Sequence, residues 1–200
     1  MILKEDMKMA DLEKEFDAVI DECFGLFKDK LSDYGPTWLF FRNSSLIDQL
    51  WIKAKRIAVL EENDDNSLVG EGRDGEYIGI INYSIVMLFR ILYPDALPEY
   101  DKLLVNPELA EKVSIDEILE LYKKVVKEVK ALMIRKNHDY GDAWRGMQQS
   151  SITDMIIIKL SRIKKIVKNS GVLLVSENID AQLFDIINYA VFGLIKLERR

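Results

Sequence analysis

Asp33, Tyr34, Gly35 and Trp38 return as Asp139, Tyr140, Gly141 and Trp144, an offset of 106 (139 − 33 = 106). Held without gaps, the same offset places Ser44, Ser45 and Asp48 on Ser150, Ser151 and Asp154. It places Lys53, Arg56 and Ile57 on Lys159, Arg162 and Ile163. Leu68, Val69, Glu71 and Asp74 then meet Leu174, Val175, Glu177 and Asp180, and Ile80-Ile81-Asn82-Tyr83 meets Ile186-Ile187-Asn188-Tyr189. More than a third of positions 33–83 recur in this way, far above what average composition yields. The chain is one unit written twice, and any fold it adopts must be built from two similar halves.

The unit reads as helical. Met9, Leu12, Phe16, Val19, Ile20, Cys23, Phe24, Phe27 and Leu31 recur at steps of three and four, the apolar stripe of a long helix. The copy carries Ile115, Ile118, Leu119, Tyr122, Val125, Val126, Val129 and Met133, and opens on Ser114 with Glu117 three residues on, a capping-box pattern. Gly35 and Gly141 stand where these helices should end, as residues able to take positive φ. A second helix of each unit is expected to start near Ser45 or Ser151, and a third to run through Asn82 or Asn188. The connector, residues 94–113, holds three of the four prolines and is expected to carry a short helix. GVLLVS, residues 171–176, reads as loop. The expectation is an all-α, pseudo-two-fold bundle of about six main helices. Residues 1–93 and 114–200 would be the two copies, packed as one domain because neither has obvious means to bury its third helix alone.

Composition narrows the function classes. The net charge of −6 argues against wrapping duplex nucleic acid, whose phosphates call for surplus Lys and Arg. A single cysteine, Cys23, permits no intrachain disulfide and suits a reducing compartment; its apolar neighbours predict burial. The first 16 residues lack the apolar stretch of a signal peptide. The most apolar run, residues 77–93, contains Asn82 and Arg90 and is shorter than the ~20 residues that span a bilayer comfortably. A cytoplasmic protein with no membrane partner is expected, and a homodimer is compatible with this.

Repeated apolar residues need only a core, but repeated polar ones need a further reason. The Asp-Tyr-Gly turn with its Trp either closes the end of a core or offers Tyr140 and Trp144 as a wall for a base, with the preceding Lys and the Asp as polar handles. Ser-x-x-Asp at Ser45 and Ser151 suggests helix capping, and the same helix start would also suit an anion. Lys53 with Arg56, and Lys159 with Arg162, are spaced i, i+3 and share a helix face, where they suit a phosphate or an ion pair. Glu177, Asp180 and Asp185, with Asn188, would line one side of a continuous helix. Such carboxylates bind a metal, Mg²⁺ for oxygen-only ligands, or pair with the lysines and arginines of the preceding helix. Gly79 replaces Asp185 in the first copy, so the second is the better metal candidate. His138, the only histidine, reads as a surface residue.

Taken together, Lys-x-x-Asp-Tyr-Gly-x-x-Trp, Ser-Ser-x-x-x-Asp, Lys-x-x-Arg-Ile and Asp-x-x-Asn-Tyr resemble the nucleotide-modification-associated domain, the first of that name, in two tandem copies over residues 30–90 and 136–198. The resemblance implies an association with nucleotide or DNA-base modification. More distantly, Glu71-x-x-Asp74 and Glu177-x-x-Asp180 are similar to half of the Mg²⁺-binding signature of the all-α, MazG-like nucleoside triphosphate pyrophosphohydrolases. Where the other half would need carboxylates, Lys53, Arg56, Lys159 and Arg162 stand. The expected function is therefore nucleotide handling. The partner is a nucleotide or other phosphorylated small molecule bound by Lys159, Arg162, Tyr140, Trp144, Lys53, Arg56 and Asn188. Mg²⁺ on Glu177, Asp180 and Asp185 would serve hydrolysis of a phosphate bond; the alternatives are a non-catalytic nucleotide-binding module and a helical scaffold.

Overall fold

The computed structural model describes residues 2–169 and 178–198. Among the described residues seven α-helices follow one another: α1 (Ile2–Tyr34), α2 (Asn43–Glu62), α3 (Arg73–Leu92), α4 (Tyr100–Val105), α5 (Ile115–Tyr140), α6 (Gln149–Lys168) and α7 (Ile179–Glu198). Six are long and match the two halves; α4 is the short helix of the connector. No strand occurs among the described residues. Residues 171–176, read as loop from sequence, lie outside them.

The offset of 106 pairs α1 with α5, α2 with α6 and α3 with α7, and each helix packs against its own counterpart. α2, α3, α7 and α6 close a ring of four, while α1 and α5 lie together against α3 and α7. The stripe on α1 buries Leu12, Phe16, Val19, Ile20, Cys23, Phe27 and Leu31; that on α5 buries Ile118, Tyr122, Val125, Val129 and Met133. Each fully buried side chain of this kind contributes about 1.5–3 kcal/mol. α3 is apolar enough by length and composition to cross a membrane, and 61% of its most apolar window is buried inside the bundle. Burial pushes the Cys23 thiol well above its ordinary range, which leaves it a small apolar filler.

The helix ends separate two kinds of sequence signal. Gly35 and Gly141 take φ of +65° and +61° directly after α1 and α5, as expected. Ser114 caps α5, accepting from the Glu117 amide at 3.4 Å. The serine caps expected for α2 and α6 are not formed. Those helices begin at Asn43 and Gln149, with Arg42 and Gln148 as cap residues and no side-chain cap bond. The chain enters both helices through a 3₁₀ turn whose Trp is buried, which moves the helix start ahead of the serines. A cation from the third helix ties each turn down. Arg90 donates to the Trp38, Leu39 and Phe41 carbonyls at 3.0, 3.1 and 2.7 Å. Its counterpart Lys196 donates to the Arg145 carbonyl at 2.8 Å, and Arg145 is the counterpart of Leu39 (145 − 39 = 106).

A buried polar network joins the halves. Glu61 accepts from Arg73 at 3.2 Å and from the Thr153 hydroxyl at 2.9 Å. The Tyr77 hydroxyl lies 2.9 Å from that of Thr153, and Gln149 Nε2 donates to the Tyr77 oxygen at 3.1 Å and to the Gly193 carbonyl at 3.0 Å. A Cβ on Gly193 would stand 2.6 Å from the Tyr77 ring, so the glycine makes room for it. Apart from Gln149, whose counterpart Asn43 is also an amide, none of these residues has a like counterpart at the offset, so the network breaks the symmetry of the duplication.

Candidate functional site

α5, α6 and α7 meet at Asp185. Lys159 of α6 donates to its Oδ2 at 2.6 Å, and Lys136, near the end of α5, donates to its Oδ1. Lys159 and Asp185 are almost fully buried, whereas 44% of the Lys136 side chain is exposed. One carboxylate between two ammonium groups leaves a net positive charge, and one of the cations faces water.

The first copy solves the same packing differently. Lys53 donates to Glu76 Oε2 at 3.1 Å, and Arg56 donates to Glu76 Oε1 and, at 2.7 Å, to Glu71. The counterparts of Glu76 and Gly79 are Gln182 and Asp185 (76 + 106 = 182; 79 + 106 = 185). The central carboxylate has thus moved three residues, about one helical turn, between the copies. Gly79 leaves room for Lys53 where it lies, since a Cβ there would sit 2.6 Å from Lys53 Cε. Glu71 is exposed and precedes α3, which begins at Arg73, so in the first copy Glu71 and Asn82 do not lie on one continuous helix. The Arg56 guanidinium, by hydrogen bonding, holds the Glu71 carboxyl below its ordinary value.

The remaining sequence candidates are dispersed. Arg162 is exposed and makes no ion pair among the described residues. Tyr140 is 75% exposed at the end of α5. Trp144 is buried, stacked on Phe192 with centroids 4.2 Å apart, and Arg145 lies over its ring at 4.4 Å. It also borders a cavity of about 370 Å³ with Arg145, Met147, Gln149, Ile195 and Lys196. Asn188 is buried one turn beyond Asp185, with neither amide atom partnered among the described residues. Asp180 is half-buried in the first turn of α7, and Glu177 lies outside the described residues. No group of three or more His, Cys, Asp or Glu able to hold a metal forms among the described residues. His138 is exposed beside Asp139, at 3.2 Å.

Two residues of these clusters were absent from the candidate set. Lys136 was signalled by the Lys that precedes both Asp-Tyr-Gly turns, but its partner is 49 residues away. Glu76 was hidden because the repeat turns it into Gln182, so matching the copies discards it.

The family model of the nucleotide modification associated domain 1 matches residues 30–91 and, again, 136–197. The chain belongs to that family. Each nucleotide modification associated domain 1 match opens on the Lys of the turn motif, Lys30 or Lys136, and ends with the third helix. The family unit is therefore the last turns of α1 or α5, the 3₁₀ turn and two helices, and it contains Lys136, Lys159, Asp185 and Asn188 together. The match does not extend to the MazG-like pyrophosphohydrolases. No curated protein and no solved structure matches the chain.

Proposed function

We propose that the second copy binds a nucleotide by its phosphate, with Lys136 and Lys159 as the cations and Asp185 as the group that holds them in place. The observation carrying this reading is the meeting of two lysines on one buried carboxylate, with Lys136 open to solvent. An ammonium group that can swing between a carboxylate and a phosphoryl oxygen is a suitable phosphate ligand. Arg162, one turn from Lys159 and unpaired among the described residues, adds charge on the outer side of α6. Tyr140 shares a face of α5 with Lys136 (i, i+4) and is the exposed ring available to a base. In the first copy Lys53 and Arg56 are already matched by Glu76 and Glu71. That half therefore supports the second.

Hydrolysis of a phosphate bond with Mg²⁺ is the finer proposal. Asp180 and Glu177 are the carboxylates that would hold the ion, since both oxygens of Asp185 are taken by lysines. That commitment of Asp185 favours, as the second reading, a nucleotide-binding module without chemistry.

Nucleoside mono-, di- and triphosphates and inorganic phosphate, each with and without Mg²⁺, separate these readings by calorimetry and melting temperature, with released phosphate and pyrophosphate assayed in the same samples. Stabilisation by phosphate-bearing compounds, weakened in Lys136→Ala, is expected. Turnover would identify the hydrolase and its absence the module. No binding of any phosphate compound would overturn the proposal.

A further inference from the structure

Asn82 and Asn188 occupy the same place in the two copies and have opposite surroundings. Asn82 is engaged at both ends of its amide. Its Oδ1 accepts from the Tyr122 hydroxyl at 2.8 Å, and its Nδ2 donates to the Cys23 carbonyl at 3.1 Å. Asn188 is only 6% exposed, yet neither Oδ1 nor Nδ2 has a partner among the described residues. Buried amides are nearly always hydrogen-bonded, so a vacancy at both atoms needs a cause.

For Oδ1 the cause lies across the repeat. The counterpart of Tyr122 is Phe16 (122 − 106 = 16). α1 packs against α7 as α5 packs against α3. By the repeat, α1 carries, in the register that Tyr122 holds on α5, a buried ring without a hydroxyl, Phe16. Asp185 stands three residues before Asn188, on the same face of α7, with Lys136 and Lys159 bonded to it. A charged cluster and an unsatisfied amide are thus adjacent in the half whose cations are not saturated.

We propose that Asn188 reads the nucleoside part of the nucleotide whose phosphate rests on Lys136 and Lys159. The ligand supplies the donor and acceptor that Tyr122 and the Cys23 carbonyl supply to Asn82. This rests on the phosphate-binding reading and adds the residue that selects among phosphate compounds. The chemistry recognised is a polar pair of O–H or N–H with a neighbouring acceptor, present both on a sugar and on the edge of a base.

The test compares Asn188→Leu, Asn82→Leu and Phe16→Tyr with the wild-type protein. Leu keeps the shape of Asn without its polar atoms. Asn188→Leu removes an unpartnered amide and is expected to raise the melting temperature; Asn82→Leu strands the Tyr122 hydroxyl and is expected to lower it. Phe16→Tyr brings in the missing hydroxyl and is expected to raise it. Calorimetry with inorganic phosphate should give the same affinity in wild type, Asn188→Leu and Phe16→Tyr. Deoxynucleoside 5′-monophosphates should bind about tenfold more weakly to those two variants, the loss of one hydrogen bond to a buried group. Dideoxynucleotides and 2-deoxyribose 5-phosphate, titrated into both the wild type and Asn188→Leu, tell which part is read: weakening with the first in the wild type but not in Asn188→Leu assigns Asn188 to the sugar hydroxyl, and a smaller loss with the second in Asn188→Leu than in the wild type assigns it to the base edge, since lost stacking on Tyr140 is common to both. A fall in melting temperature for Asn188→Leu equal to that for Asn82→Leu, or unchanged nucleotide affinity in Asn188→Leu and Phe16→Tyr, would overturn the inference. Absence of phosphate binding in the wild type would instead overturn the proposed function.

Discussion

Lys159 Nζ lies 2.6 Å from Asp185 Oδ2, with 10% and 8% of the two side chains exposed. Removing one member of such a pair leaves a desolvated charge, whereas replacing both by apolar groups can be neutral or better. Asp185→Ala is expected to cost about 3–5 kcal/mol. The double variant Lys159→Met/Asp185→Leu should lie within about 1 kcal/mol of wild type, because Lys136 can turn to solvent. Urea midpoints at constant slope measure both. Equal losses in the single and double variants would mean the pair does not govern stability.

Two glycines in helix interiors differ in what they make room for. Gly79 accommodates Lys53, the flexible end of a partly exposed chain; Gly193 accommodates the ring of Tyr77, whose hydroxyl is held by Thr153 and Gln149. Gly→Ala in a helix gains about 1 kcal/mol of propensity. Gly79→Ala should therefore come out near neutral, the gain offsetting a displaced Lys53, and should show its full gain in a Lys53→Ala background. Gly193→Ala should lose about 1–3 kcal/mol, since a pinned ring cannot move aside. Chemical denaturation of Gly79→Ala, Gly193→Ala, Lys53→Ala and the Lys53→Ala/Gly79→Ala double variant checks the contrast, and similar values for both glycines would refute it.

Serine at a helix start matters only where its oxygen meets an amide. Ser114→Ala is expected to cost about 0.5–1 kcal/mol, the long 3.4 Å bond placing it low in the usual range. Ser45→Ala and Ser151→Ala, half-buried positions that do not cap their helices, should change stability by less than about 0.5 kcal/mol. Thermal denaturation of the three proteins decides it.

Two carboxylates shift in opposite directions and give opposite pH dependence. Burial pushes Glu61 above the ordinary 4.5, in spite of Thr153 and Arg73. The folded protein then holds that proton more tightly than the unfolded chain, so this contribution to stability grows as pH falls from neutral toward 4.5. Arg56 pulls Glu71 below 4.5, so its contribution is present above that pH and lost as pH drops beneath it. The melting temperature of wild type relative to Glu61→Gln should rise between pH 7 and 5. Relative to Glu71→Gln it should fall below pH 4.5. Calorimetric scans across this range test both signs.

Some of this was legible in one dimension. The periodicity of Leu12, Phe16, Val19, Cys23 and Phe27 marks α1 as a helix and names the side it buries, because 3.6 residues per turn is a local property. Gly35 and Gly141 mark helix ends because positive φ is a property of one residue. Ser45 and Ser151 misled because a cap depends on where the preceding turn delivers the chain, and Trp38 and Trp144, buried against Phe89 and Phe192, set that. Glu76 escaped notice because its function depends on reaching Lys53 and Arg56 across two helices, whereas the repeat records only identity of residue.

The sequence by itself determined the duplication, the six long helices, their buried stripes and the position at which the second half carries Asp185 against Gly79 in the first. These follow from spacing along one chain and from the chemistry of single residues. Only the tertiary structure decided that Asp185 gathers Lys136 and Lys159, that Glu76 takes over this place in the first copy, and that Asn82 is satisfied while Asn188 is not. Those outcomes depend on the approach of α1, α5 and α6 to α3 and α7, and electrostatics and hydrogen bonding act over a few ångströms of space whatever the separation in sequence.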